Sequence, residues 1–467
     1  MEKELDLNVI KKFSKNYNKK KVNKVIENAV KVNGVGPISY NPDYEKELSN
    51  QFSIEVKDIG TITNQKQSGR CWMFAGLNVL RRILIKNLKV SNIELSQSYL
   101  MFYDKLEKSN YELESVLDYI DEEDNSRILD TILTLGGQQD GGFWHFFVNL
   151  VKKYGVVPKP CMDETTSSSA SMQMDTVLET LITKDVAILR NSYKEGKTID
   201  ELRAVKEEML EEIYRVLAIC LGEPISEFTF VYKPTDDTKK DDKKNDDKKE
   251  EKKDDDSPVV EYKTIKSTPI DFFNKYIAKD LDEYVSLVNW PIKGYPLYRS
   301  YSSKLTQNVY GAELGKSVNV PLDIMKKATI ESLKNNDLCW FACDVSSFSE
   351  RKKGYLATEL FQYDDVFNVE LNFDKGDRLM LRASSCNHAM MLSGVNLDKK
   401  NKPNKWKVTN SWGSTYGFEG TYVMSDHWFD EFVYEVVVNK KYLSEDVLKA
   451  YESEAILLEP WAPVNNF

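Results

Sequence analysis

The chain has 467 residues, 41% of them hydrophobic and 30% charged, with a formal net charge of −10. That length allows about three domains and a sizeable core, while the acidic balance argues against a nucleic-acid channel, which needs a basic footprint. No run approaches the ~18 apolar residues of a membrane span, and the charged start Met1-Glu2-Lys3-Glu4-Leu5-Asp6 has no secretory apolar segment. Six cysteines without C-x-x-C spacing, beside three scattered histidines, predict neither a disulfide framework nor a zinc site. The composition reads as a protein of the reducing cytoplasm.

Residues 1–60 are a Lys/Asn-rich approach. Val22, Val25, Ile26, Ala29 and Val30 give it one short helical stripe, and residues 1–20 read nearly as well as a disordered tail. The informative stretch follows: Asn64-Gln65-Lys66-Gln67-Ser68-Gly69-Arg70-Cys71-Trp72-Met73-Phe74-Ala75. Met73, Leu77, Leu80, Leu84 and Leu88 recur at steps of four and three, the stripe of a helix burying one face. Cys71 then falls in the first turn, where free N–H groups and the helix dipole favour a thiolate. Gln65 can set an amide donor beside the same sulfur. A lone cysteine in an apolar helix is more often a small buried hydrophobe; the functional alternative is a nucleophile with half an oxyanion hole.

The rest of 61–155 reads as helical. Leu95–Glu107 carries Leu95, Tyr99, Phe102 and Leu106 on one face, and Gly136-Gly137 and Gly141-Gly142 break the chain around Asp140. His145, in an aromatic run, reads as a core or cleft-wall residue. Residues 156–335 read as an inserted helical and hairpin region. Helices over 173–221 carry Val205, Met209, Ile213, Leu217 and Cys220 in near-heptad steps, and 227–232 and 259–265 alternate as two strands. Between them lies Thr235–Ser257, where 19 of 23 residues are Asp, Glu or Lys; such a segment cannot bury enough surface to offset its ordering entropy and predicts disorder.

Residues 336–440 read as a β half, with strands at Asp337–Val345, from His388 onward, at Trp406–Asn410 and at Gly420–Met424. Cys339 and Cys343 read as packed strand residues and His427 as a surface or packing residue. Cys386, two residues before His388, is the runner-up nucleophile but has no helix N-terminus beside it. Asn410-Ser411-Trp412-Gly413 follows His388 by 22 residues, and an Asn at a strand end followed by Trp can orient and shield an imidazole. The segment 441–467 reads as a helix and an extended arm containing Pro460 and Pro463.

Cys71, His388 and Asn410-Ser411-Trp412-Gly413, in that order and with Gln65 and Ser68-Gly69-Arg70-Cys71-Trp72, resemble the papain-type cysteine peptidases. More narrowly they are similar to the bleomycin hydrolase/aminopeptidase C branch. Leu95–Leu100, Asp140-Gly141-Gly142, Lys153–Lys159, Trp340–Val345 and Tyr434–Val438 extend the likeness from about residue 5 to the last residues, apart from the charged insertion. Two features differ. Ser68 and Arg70 stand where papain-like signatures have Cys and Ser or Ala, and 317 residues separate Cys71 from His388, against about 130–150.

The resemblance implies an α+β fold: a papain-like two-lobed core of a helical lobe and a β-barrel-like lobe, a large inserted helical/hairpin region, an N-terminal arm around the core, and a C-terminal arm lying in the cleft. It implies a cysteine aminopeptidase that removes N-terminal residues from peptides. Cys71 would be the nucleophile, His388 the acid–base, Asn410 its orienting partner shielded by Trp412, and Gln65 an oxyanion donor. Gly141 and Gly142 would lend main-chain bonds to an extended substrate, and Phe467 would present a carboxylate to the substrate's free N-terminus. No metal or organic cofactor is implied; the implied assembly is a homohexamer. Two other readings stand beside this one: a cysteine endopeptidase with a displaced tail, and a catalytically silent binding or scaffold homologue.

Overall fold

The computed structural model describes residues 4–136, 139–235 and 261–465. Most of the charged run and Phe467 lie outside the described residues. The helical lobe is built on the helix Cys71–Leu88, whose stripe Met73, Leu77, Leu80, Leu84 and Leu88 is buried throughout. Truncating Leu84 to Ala would cost about 2–5 kcal/mol at such a site. Lys89, in the left-handed conformation, ends the helix and donates its N–H to Ile85. The helix Trp144–Tyr154 packs so closely that a Cβ at Gly76 would lie 2.7 Å from the Phe147 ring.

The neighbouring helix runs Gln97–Asp118, further than the expected end at Glu107. Its charged residues Lys105, Glu107, Lys108, Glu112 and Glu114 are buried, whereas Leu106 on the expected apolar face is only partly so. Charge therefore did not mark a surface here. The helices Met172–Lys194 and Ile199–Leu221 pack against it, the second opened by a capping box between Thr198 and Glu201.

In the β lobe Val433–Asn439, Cys339–Cys343, His388–Leu397, Pro403–Thr409 and Thr421–Ser425 are successive antiparallel neighbours in one sheet. Beyond Val433–Asn439 the same sheet continues through Tyr284–Val288, Ser317–Asn319, Arg299–Ser303 and Ile456–Leu458. The expected boundary at 335 is thus corrected: the β lobe recruits strands from about 284. These pieces are three to five residues long, too short for a periodicity, and their partners lie far along the chain. The hairpin of the inserted region does form, pairing Phe228–Tyr232 with Lys263–Ser267.

The N-terminal arm is helical at Leu7–Lys19, where a disordered tail was nearly as good a reading, and at Lys21–Asn33, where the helical stripe was expected. Asp6 accepts the N–H groups of Asn8 and Val9 and so starts the first helix. Neither helix buries a residue. The next segment is stitched to the β lobe: Asn41 donates its N–H to Leu360, Val56 to Ser393, and Ile54–Glu55 pairs with Gly394–Val395. Those last residues belong to the strand that begins at His388, so the arm braces one wall of the cleft.

Candidate active site

Cys71 is the first residue of its helix and is half-buried. The turn before it is fixed from three sides. Gly69 donates its N–H to Asp140 Oδ2 at 2.7 Å, and a Cβ on Gly69 would sit 2.8 Å from the Asp140 Cβ. Arg70, 1% exposed, makes a bidentate pair with Glu164 and donates to the Ser168 carbonyl. Trp72 donates its indole N–H to the Asp140 carbonyl at 2.6 Å. Behind this turn Lys105, fully buried, bridges Asp140 and Asp175 at 2.9 and 2.8 Å. Burial alone would raise the Asp140 carboxyl, but Lys105, the Ser171 hydroxyl and the Gly69 N–H hold it down at about 2.

The β lobe supplies the opposite wall. Ala389 N–H lies 3.4 Å from Cys71 Sγ, which sets the sulfur against the first residues of the His388 strand. His388 is buried and its Nε2 lies 2.9 Å from Asn410 Oδ1. The same Oδ1 accepts Ser411 N–H at 2.7 Å, which fixes the amide's orientation. An oxygen can only accept, so Nε2 carries the proton and Nδ1 is the free base. The Trp412 ring stacks on the imidazole with centroids 4.6 Å apart, and the Arg351 guanidinium lies 4.0 Å from the same indole.

Gln65 reaches the site because the chain around it is zipped to the Asn410–Gly413 turn. Its N–H donates to the Ser411 carbonyl, Gly413 N–H to Thr63, and the Ser411 hydroxyl to Gln65 Oε1 at 2.6 Å. Gln65 Nε2 donates one hydrogen to the Ser68 carbonyl at 2.7 Å, leaving the amide a second one. The structure thus brings Gln65, Cys71, His388, Asn410 and Trp412 to one place. Gly142 packs on the Trp72 ring, where a Cβ would lie 2.5 Å away; Gly141 faces open space. Close approach is therefore required at Gly142 alone.

The thiolate expected from the helix terminus meets a counterforce. Burial pushes the Cys71 thiol up to about 11, opposed by the N–H groups of Ala389, Trp72 and Cys71 itself. Burial likewise pushes His388 down to about 4, against the Asn410 bond. Between these limits the pair holds one proton in all, on sulfur or on nitrogen, and the two steps belong to the pair. Charge separation within the pair changes no net charge, so it escapes much of the penalty that each ion would meet alone.

The other candidates stand apart from this chemistry. His145 lies 3.1 Å from the Thr306 carbonyl, and His427 bonds the Thr358 hydroxyl. Cys339 and Cys343 are buried in the sheet, and burial lifts the Cys386 thiol well above its ordinary range. Among the described residues, no three His, Cys, Asp or Glu side chains converge as metal ligands would, and no helix is long and apolar enough to cross a membrane. Lys105, Glu164 and Arg351 were missed as parts of the site, while Arg70 and Asp140 stood inside the runs Ser68–Trp72 and Asp140-Gly141-Gly142 without a role of their own.

Comparison with known proteins agrees with the geometry. The chain is 39% identical over 468 aligned residues to Aminopeptidase C of Lactobacillus delbrueckii subsp. lactis, covering 99% of this chain and 98% of that one. It is 37% identical to Aminopeptidase C of Listeria innocua, covering 100% and 99%. The crystal structure of PepW from Lactobacillus rhamnosis superposes over the whole of both chains with a TM-score of 0.91 at 36% identity. Fold and relatives together define an enzyme, a cysteine-type aminopeptidase. The chain belongs to the Peptidase C1-like family, whose model matches residues 4–465.

Proposed function

We propose that this protein removes N-terminal residues from peptides in the cytoplasm, with Cys71, His388 and Asn410 as its catalytic groups. Cys71 Sγ attacks the scissile carbonyl carbon while His388 Nδ1 takes the thiol proton. The same nitrogen then gives that proton to the leaving amine, and water, deprotonated in turn, releases the acid from the thioester. Asn410 holds the ring and Trp412 covers that contact. The Cys71 N–H and the second Gln65 amide hydrogen stabilise the oxyanion. The observation that carries this reading is the His388–Asn410 bond beneath Trp412, directly across from a sulfur at a helix N-terminus.

The removal of terminal residues rests on the unequal ends of the cleft. On the Gln65–Gly69 and Trp412 side lies a cavity of about 1260 Å³, roomy enough for a peptide. The other end, bordered by Phe143 and Cys386, holds about 60 Å³ and is closed along one edge by Val464 and Asn465 of the arm. Six free cysteines suit a reducing compartment. The homohexamer belongs to the same proposal: the two N-terminal helices leave Leu7, Phe13, Val25 and Val32 exposed within one chain.

The test compares peptides with free and acetylated N-termini, on the full chain and on one lacking Ala462–Phe467. The full chain should favour free amines at least 100-fold, and truncation should lower that ratio at least tenfold. Equal cleavage of both peptides by the full chain would replace this reading with an endopeptidase.

A further inference from the structure

The small cavity at the closed end of the cleft is lined by a buried carboxyl, Glu435, that faces no cationic side chain among the described lining residues. Its walls come from both lobes, Phe143 and His145 on one side and Cys386, Tyr434 and Glu435 on the other. Two of its walls continue along the chain into the site: Cys386 is two residues before His388, and Phe143 follows Gly142, which packs on the Trp72 ring. Among the described residues no lysine or arginine lines it. Glu435 is 8% exposed, and its Oε1 accepts the Ser286 hydroxyl at 2.5 Å. Among the described residues the Ser286 hydroxyl is the one side-chain donor to this carboxyl, and Glu435 lines the cavity.

A buried carboxylate with one neutral donor costs the fold several kcal/mol, and an amide of the same shape would avoid most of that. Glu435 sits mid-strand between Tyr434 and Val436, paired across to Val288; the ladder there is made by backbone and needs no carboxylate. A ligand that brings a positive charge accounts for it. Resting on the reading that peptides occupy this cleft, we propose that the cavity is a subsite for a cationic amine of the substrate, and that Glu435 is the residue that recognises it.

The size fits: about 60 Å³ admits an ammonium and its nearest methylenes rather than an aromatic ring. The neighbours fit as well. Burial pushes His145 down to about 4, so it adds no competing charge at neutral pH, and burial raises Tyr301, Tyr434 and Cys386, which stay neutral. Burial lifts the empty Glu435 carboxyl to about 7, from which an incoming cation would draw it into the charged form.

The cation has two possible sources, the substrate's α-ammonium and a basic side chain. Calorimetry on the full-length Cys71→Ala protein separates them without turnover. The probes are Lys-Ala-Ala amide, norleucine-Ala-Ala amide and the N-acetyl form of each. A side-chain subsite predicts at least tenfold tighter binding of lysine than norleucine in both forms. An α-ammonium subsite predicts at least tenfold tighter binding of free than acetylated peptides whatever the side chain. In either case Glu435→Gln, added to Cys71→Ala, should reduce the preference to within twofold while Glu435→Asp keeps part of it. Four probes binding alike, or a preference untouched by Glu435→Gln in a protein with unchanged melting, would overturn the proposal. Loss of peptide turnover by the wild-type chain with these preferences intact would instead fault the aminopeptidase reading alone.

Discussion

The two walls of the cleft are held by different physics. The Cys71 turn hangs on charges taken out of water: Arg70 on Glu164, and Lys105 between Asp140 and Asp175. The His388 wall is held by backbone ladders to Cys339–Cys343 and Pro403–Thr409, with neutral amides and stacked rings at its end. A ladder shares strain over many bonds, so its parts can be lost singly. A buried ion pair is all-or-none, because losing one partner strands the other. Cys71, the proposed nucleophile, whose position must be exact within fractions of an ångström for attack, has the brittle mounting, and His388, the proposed base, has the forgiving one.

The largest effect should come from removing the reacting atom itself. Cys71→Ala is expected to lower kcat at least ~10⁴-fold with melting unchanged, and iodoacetamide should label Cys71 of the wild type before any other cysteine. Normal turnover by the variant, or first labelling at Cys386, would remove the comparison altogether. Next, Lys105→Met leaves Asp140 and Asp175 facing each other without their cation and should cost about 3–5 kcal/mol, read from the denaturant midpoint. A loss below ~1 kcal/mol would show that the Cys71 turn does not depend on that bridge. On the other wall, Asn410→Ala should lower kcat about 10- to 100-fold by freeing the ring while costing little stability. A larger loss of stability than Lys105→Met would invert the contrast.

Acid separates the walls without mutation. The Cys71–His388 pair takes up its second proton near about 4, so turnover should fall as pH drops through that value with the fold retained. Asp140 is held at about 2, below about 3.9 in an unfolded chain. Its stabilisation is therefore present above pH ~4 and is lost as pH falls toward 2. Rate against pH, with near-ultraviolet circular dichroism on the same samples, should give two separate acid steps; one common step would merge the two mountings. The smallest effect is expected from replacing Thr235–Ser257 by a short Gly/Ser turn, which should leave kcat/KM within about twofold.

What could be read beforehand follows the same division. Cys71–Leu88 carries Cys71 in its first turn and His388–Leu397 begins at the histidine, as the sequence placed them, because each carries its own pattern: a four-and-three stripe in one, an unbroken apolar run in the other. Asn410 at a strand end was legible for the same reason. Lys105 was not. It is the charged residue of an apparently amphipathic helix, and its burial is decided by Asp140 and Asp175, 35 and 70 residues away. Arg70 and Glu164, separated by 94 residues, and Arg351 on Trp412 pose the same difficulty. The strands between 284 and 319 escaped because a strand of three to five residues has no meaning until its neighbour arrives. Local periodicity survives in one sequence, whereas pairings that exist only after folding do not.

The spacing along the chain also orders events in time. A ribosome delivers Cys71 long before His388, and at about 5–20 residues per second the interval is roughly 15–60 s. During that interval the helix around the thiol can form, yet no imidazole stands opposite it. The arm that narrows the cleft, Ile456–Asn465, is made later still, and its strand needs Arg299–Ser303 already in place as a template. On the proposed mechanism, a nascent copy therefore stays inactive through most of its synthesis.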